Sequence, residues 1–196
     1  ALLCITIPER AGSFRALCHD LGRRSITEFN YRFSDTKNAH VFVGIQLKKG
    51  LQEKMILLQN LQEKNYEVID MSDNEVAKMH IRYMVGGASA QITNELLYRF
   101  EFPERSVALL FFLNAMGDRW NISLFHYRNH GAAYGRVLLG MQVPENQKKD
   151  FQSFLDSLGM EYSDESSNQA YQKFLSWTSL PVDAWKRQCR NYLQSR

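Results

Sequence analysis

Phe29-Asn30-Tyr31-Arg32 returns as Phe125-His126-Tyr127-Arg128, and the Gly44 and Gln46 that follow return as Gly140 and Gln142, each 96 positions later. Pro8-Glu9-Arg10 returns as Pro103-Glu104-Arg105, a displacement of 95. A one-residue slip over that distance is what a surface-loop insertion between two copies of one unit leaves behind. The chain therefore reads as two related modules, and the pattern within each module decides the fold.

In the first module Leu3, Ile5 and Ile7 alternate with Cys4 and Thr6, the period-two signature of a strand. Phe14, Leu17, Cys18 and Leu21 then fall at i, i+3, i+4 and i+7, one face of a helix. Ser13 suits its N-cap or first turn, and Gly22 its end. Two strand-like runs follow, Ile26 to Phe33 and His40 to Leu47, joined by a polar turn at 34–38. Leu51, Met55, Leu58 and Leu61 predict one face of a second helix, and Tyr66 to Met71 a short strand.

The second module repeats the order, with strands at 98–102, 121–128 and 134–143. Its helices fall near Leu109, Phe112, Leu113 and Met116, and at Phe151, Phe154, Leu155 and Leu158, before a brief strand at Glu161-Tyr162. The order βαββαβ predicts an α+β fold: two ferredoxin-like subdomains packed side by side, each an antiparallel sheet with its helices on one face. A short helical segment ends each copy, Asn74 to His80 and Asn168 to Leu175. The expected boundaries are 1–83 for the first subdomain, 84–96 for a connector, 97–177 for the second and 178–196 for a C-terminal helical extension.

With 196 residues, each half is long enough to bury a core of its own. A net charge of +3, with scattered basic residues, argues against nucleic acid or anionic lipid as a partner. No apolar run is long enough to span a membrane, and three cysteines without paired spacing suit reduced thiols in a cytoplasm. The chain lacks an initiator Met and opens in a strand-like run, which predicts a piece of a longer protein.

The residues offer no catalytic grouping and no metal site. His126 and His130 have a metal-ligand spacing only on a helix, and on a strand residues i and i+4 lie roughly 13 Å apart. Cys18-His19-Asp20 reads as a helix surface with one inward thiol. Asn121-Ile122-Ser123 is formally a glycosylation sequon but lies in a strand. What remains is small-ligand binding. Gly12 and Ser13 open a helix whose free N–H groups suit a carboxylate. Tyr31 offers ring and hydroxyl, and Arg32 a carboxylate fork. Neighbouring strand residues point to opposite faces, so Tyr31 and Arg32 share a pocket only if a bulge or strand end intervenes. Tyr31 and Tyr127 also fit plain aromatics at the edge of a core.

Four segments, 7–14, 27–32, 80–87 and 121–128, closely resemble the carboxy-terminal regulatory region of the biosynthetic threonine deaminases (threonine dehydratases). The likeness runs from residue 1 to about Trp177. It implies two ACT-like subdomains following a catalytic domain, absent here with its cofactor lysine and phosphate cradle. That domain uses pyridoxal phosphate to convert threonine to 2-oxobutanoate and ammonia, on the way to isoleucine. It further implies isoleucine as inhibitor and valine as its antagonist, with assembly into tetramers. A dimer is expected of the regulatory chain alone, without catalytic residues or a cofactor of its own.

Tyr31, Tyr127 and Arg128 match effector-contacting positions of the family, and Arg82 a position tied to feedback control, here a candidate for coupling. Two departures stand out. The second copy has Val107 where the family has a turn glycine, and the segment 178–196 runs past the usual end. Rival readings are a purely structural oligomerisation module and a tandem RNA-binding pair of the same element order. The second lacks the Gly-aromatic run in its third strand, which reads His40-Val41-Phe42-Val43-Gly44-Ile45-Gln46-Leu47.

Overall fold

The computed structural model describes residues 1–84, 86, 87, 89, 92–103, 108–128 and 134–176. Val107, His130 and the expected extension 178–196 lie outside the described residues. In the first copy the elements are β1 (Leu2–Pro8), α1 (Ser13–Leu21), β2 (Ile26–Arg32), β3 (Asn38–Ile45), α2 (Gly50–Glu63), β4 (Glu67–Asp70) and the short α3 (Glu75–Met79). In the second they are β5 (Glu95–Pro103), α4 (Ala108–Met116), β6 (Asn121–Arg128), β7 (Tyr134–Gln142), α5 (Lys148–Ser157) and β8 (Glu161–Asp164).

The strands form one eight-stranded sheet in the order β4-β1-β3-β2-β6-β7-β5-β8, with every pairing antiparallel. Each half has the ferredoxin-like order, and the two halves join through β2 and β6. The register of that seam is the key to the architecture. Asn30 lies opposite His126, its own counterpart 96 positions on, and Phe29 lies opposite Tyr127 as Tyr31 lies opposite Phe125. Such self-complementary pairing is an isologous contact about a local two-fold axis, made within one chain.

Packing follows the alternation read from the sequence. Leu3, Ile5 and Ile7 of β1 are buried with Phe14, Leu17, Cys18 and Leu21 of α1. A single core runs under both halves, joining these to Phe112, Leu113 and Met116 of α4 and Phe151, Phe154 and Leu155 of α5. Helix α1 packs against its counterpart α4 across the seam. Below them Phe29 and Phe125 meet edge to face, ring centroids 5.1 Å apart.

Helix α2 meets expectation only in its second half. Leu61 is buried and Leu58 packs on the core, joined by Leu57, whereas Leu51 and Met55 are 73% and 70% exposed. The apolar residues that pack are thus Leu57, Leu58 and Leu61, in the half of the helix that leads into β4, which it contacts.

The other face of the sheet is covered by the segments that end each copy. Asn74 caps α3, its side chain accepting from Ala77 N at 2.9 Å, and a turn of 3-10 helix at Ile81–Tyr83 follows. In the second copy a turn of π-helix at Tyr171–Leu175 packs Tyr171 and Leu175 on Leu97, Leu124 and Leu138. If the seam is the organising contact, Phe125→Ala should cost about 3–5 kcal/mol in urea unfolding. It should also leave a single cooperative transition, since one core spans both copies.

Candidate functional site

Strand β2 alternates without interruption where it matters. Its irregularity lies between Ile26 and Glu28, and that of β6 between Ile122 and Leu124. Phe29 and Tyr31 therefore face the helices, while Glu28, Asn30 and Arg32 face the terminal segments. The candidate residues divide accordingly, and Arg32 does not join Tyr31 in one pocket.

On the helix side, Gly12 caps α1 in the left-handed region at φ 87°. A Cβ there would collide with the Asp118 carboxylate, which is held by Arg15 at 2.8 Å. No side chain caps the helix, so N–H groups of its first turn lack intrahelical acceptors. Ser13 is buried beside them. Tyr31, 4% exposed, packs edge to face on Phe14 at 4.8 Å and donates its hydroxyl hydrogen bond to Glu9 Oε2. Burial, then the Glu9 carboxylate, pushes the phenol well above its ordinary pKa.

Glu9 is the residue that pattern reading passed over. Its other oxygen accepts from Asn121 Nδ2 of the second copy at 2.8 Å. Burial raises its pKa, against the hydrogen bonds from Tyr31 and Asn121. The only sequence signal was its return as Glu104 within the repeated Pro-Glu-Arg. Tyr127 lies on the same face of β6, and its ring rests so closely on Gly135 that a Cβ there would be 2.5 Å from it.

On the opposite face Arg32 is engaged in full. Its guanidinium forks onto both oxygens of Glu95, donates to Gly87 O at 2.9 Å and to Leu175 O at 2.6 Å. Glu95 also accepts from Ser123 Oγ at 2.5 Å and from Tyr171 Oη at 2.8 Å. The pair is 9% and 7% exposed. Arg82 forms a second ion pair with the buried Glu28, and its carbonyl accepts from Asn30 Nδ2 at 3.1 Å. The Arg128 guanidinium lies 4.1 Å from the centroid of the Tyr83 ring. Arg32, Arg82 and Arg128 thus fix the terminal segments and connector to the back of the sheet.

The remaining groupings resolve simply. Cys18 is buried, which pushes its thiol up to about 12, too high for a thiolate nucleophile near neutral pH. His126 lies in β6 opposite Asn30. Among the described residues no three His, Cys, Asp or Glu are arranged to hold a metal. No described helix is long and apolar enough to cross a membrane.

The model of the C-terminal regulatory domain of threonine dehydratase matches residues 1–81 and 86–175. The chain belongs to that family. It is 53% identical over 176 residues to the biosynthetic L-threonine dehydratase IlvA of Escherichia coli, covering 90% of this chain and 34% of that protein. It is 42% identical over 183 residues to the mitochondrial threonine dehydratase of Saccharomyces cerevisiae, covering 89% and 32%. Against the chloroplastic threonine dehydratase 1 of Solanum lycopersicum it is 42% identical over 174 residues, covering 88% and 28%. The chain thus spans about a third of the length of these relatives, and it corresponds to their regulatory portion.

Two predictions come from this geometry. Arg32→Met alone should destabilise the regulatory domain by about 3–5 kcal/mol, because it strands a buried Glu95. The double variant Arg32→Met with Glu95→Leu should recover most of that loss in chemical denaturation. Cys18 should resist a thiol-specific reagent in the native protein and react once denatured, as read by peptide mass spectrometry.

Proposed function

We propose that this regulatory domain senses branched-chain amino acids, with isoleucine as the inhibitory effector and valine as its antagonist. In this reading it controls a pyridoxal phosphate-dependent catalytic domain of the same polypeptide. That domain would convert threonine to 2-oxobutanoate and ammonia, in a cytoplasmic assembly of dimers or tetramers. The observation that carries the reading is the convergence of the Tyr31 hydroxyl with the uncapped start of α1, walled by Phe14 and lying at the seam between the copies. Helix N–H groups suit an effector carboxylate, and the aromatic wall suits an aliphatic side chain. Tyr127 marks the related position in the second copy.

Isoleucine and valine differ by one methylene, worth only about 1–3 kcal/mol in an apolar pocket. Opposite effects of such similar ligands therefore require two conformations with different preferences, or two unequal sites. Strand β2 offers a route between site and output. A displacement at Tyr31 moves Arg32, the next residue on the other face, and with it the contacts to Glu95 and Leu175. Arg82, tied to Glu28 on the same strand, joins the connector to that movement.

Isothermal titration of the 196-residue chain with each amino acid tests this. Heat of binding is expected from isoleucine and from valine. At a hundredfold excess over Kd the bound state should gain about 2.7 kcal/mol of stability, seen as a rise in Tm. Folded protein that gives neither heat nor thermal shift with either ligand overturns the reading.

A further inference from the structure

Two acceptors at the seam are incompletely matched to their surroundings, a carboxylate without a cationic partner and an amide oxygen without a donor. Glu9 is partly buried, yet no Lys, Arg or His forms an ion pair with it among the described residues. Its carboxylate is held only by neutral donors, the Tyr31 hydroxyl and the Asn121 amide. Asn121 Oδ1 is buried and accepts no hydrogen bond. The orientation of that amide is fixed, because its Nδ2 donates both to Glu9 Oε1 at 2.8 Å and to Gln142 Oε1 at 3.2 Å. A desolvated carboxylate without a counter-ion and a buried carbonyl without a donor are each costly. Together they suit a single group that is cationic and carries several N–H bonds.

A crevice adjoins these two groups. Asn121 lines it, between the turn at Arg10, Ala11 and Gly12 and the second copy's Met116 and Trp120. The start of α1 lies at one side, where Ser13 N donates to Arg10 O at 3.3 Å and the N–H groups of Phe14 and Arg15 have no intrahelical acceptor. Glu9, bonded to Asn121, lies behind that lining, so an amino acid entering there would turn its ammonium toward the two acceptors, its carboxylate toward the helix start and its aliphatic branch toward Phe14, Met116 and Trp120.

We infer that Glu9 and Asn121, one from each copy, receive the α-ammonium of the amino-acid effector. The inference rests on the sensor reading above and adds the polar half of its site. The crevice is closed in this structure, so this assignment requires the α1 turn to part from β6 when the effector enters. Binding is thereby tied to a change in how the copies meet.

The counterpart of Asn121 in the first copy is Ser25, 96 positions earlier. A serine hydroxyl is shorter than an asparagine amide and offers a single O–H donor where the amide has two N–H. The two copies therefore offer different groups at this position, without any change in fold.

Titrations with isoleucine, with 3-methylpentanoate, which lacks the ammonium, and with isoleucinol, which lacks the carboxylate, test the assignment on the wild-type chain. Isoleucine should bind roughly tenfold or more tighter than 3-methylpentanoate. Glu9→Gln and Asn121→Ser, confirmed folded by their unliganded melting, should each weaken isoleucine roughly tenfold or more. Both variants should leave the weak binding of 3-methylpentanoate unchanged. Equal affinity of the wild type for isoleucine and 3-methylpentanoate overturns the assignment without reference to any variant, and so does undiminished isoleucine binding in folded Glu9→Gln. A wild-type chain that binds isoleucine not at all defeats the sensor reading, and this assignment with it.

Discussion

The antiparallel pairing of β2 with β6 is the constraint from which the rest of the molecule follows. Each ferredoxin-like half ends in a strand whose outer row of N–H and C=O groups needs partners, and an open edge of that kind invites unwanted association. Here each half supplies the partner of the other, in a register centred on Asn30 and His126. That register brings Phe29 onto Phe125, sets α1 beside α4, and merges two small cores into one. It also brings Asn121 of one copy within hydrogen-bonding reach of Glu9 of the other. The contact that makes the domain cohere is thus the contact at which a ligand would be felt.

The two faces of β2 divide the labour. Toward the helices it presents Phe29 and Tyr31, the apolar wall and hydroxyl of the candidate site. Toward the terminal segments it presents Glu28, Asn30 and Arg32, which hold Arg82, the connector and the backbone at Leu175. The strand is one residue thick, so nothing else separates the candidate site from the contacts to the terminal segments. Adjacent residues on a strand cannot both enter one pocket, but they are well placed to transmit a displacement through it.

Much of this was legible from pattern. Alternation in β1 and the stripes of α1 and α5 named their buried residues, and the displacement of 96 announced the duplication. Helix α2 misled because Leu51 and Met55 continue an apolar stripe that packing does not use. Hydrophobic period reports which faces are possible, and neighbouring strands choose among them. The seam was not legible, since nothing in a strand's sequence states which edge it pairs with. For the same reason Glu9 and Asn121 were read apart. They are distant in sequence, each looks polar and local, and only the sheet's register brings them together. The partner of Arg32 was hidden likewise, because Glu95 sits at the start of β5 and reaches it across the back of the sheet.

The register at the local two-fold carries a last consequence. Two identical subunits joined this way would pair Glu28 with Arg32 of the other subunit, and do so twice. Within this single chain the first pairing survives in kind, with Glu28 opposite Arg128, whereas Arg32 lies opposite Leu124. The missing carboxylate is replaced by Glu95 from a different strand. A homodimer cannot make such an exchange, because any substitution in one subunit appears in both. Covalent fusion removes that symmetry requirement, so each flank of the axis can build its own ion pair, Glu28 with Arg82 on one side and Arg32 with Glu95 on the other. The chain behaves as a heterodimer whose members can never separate.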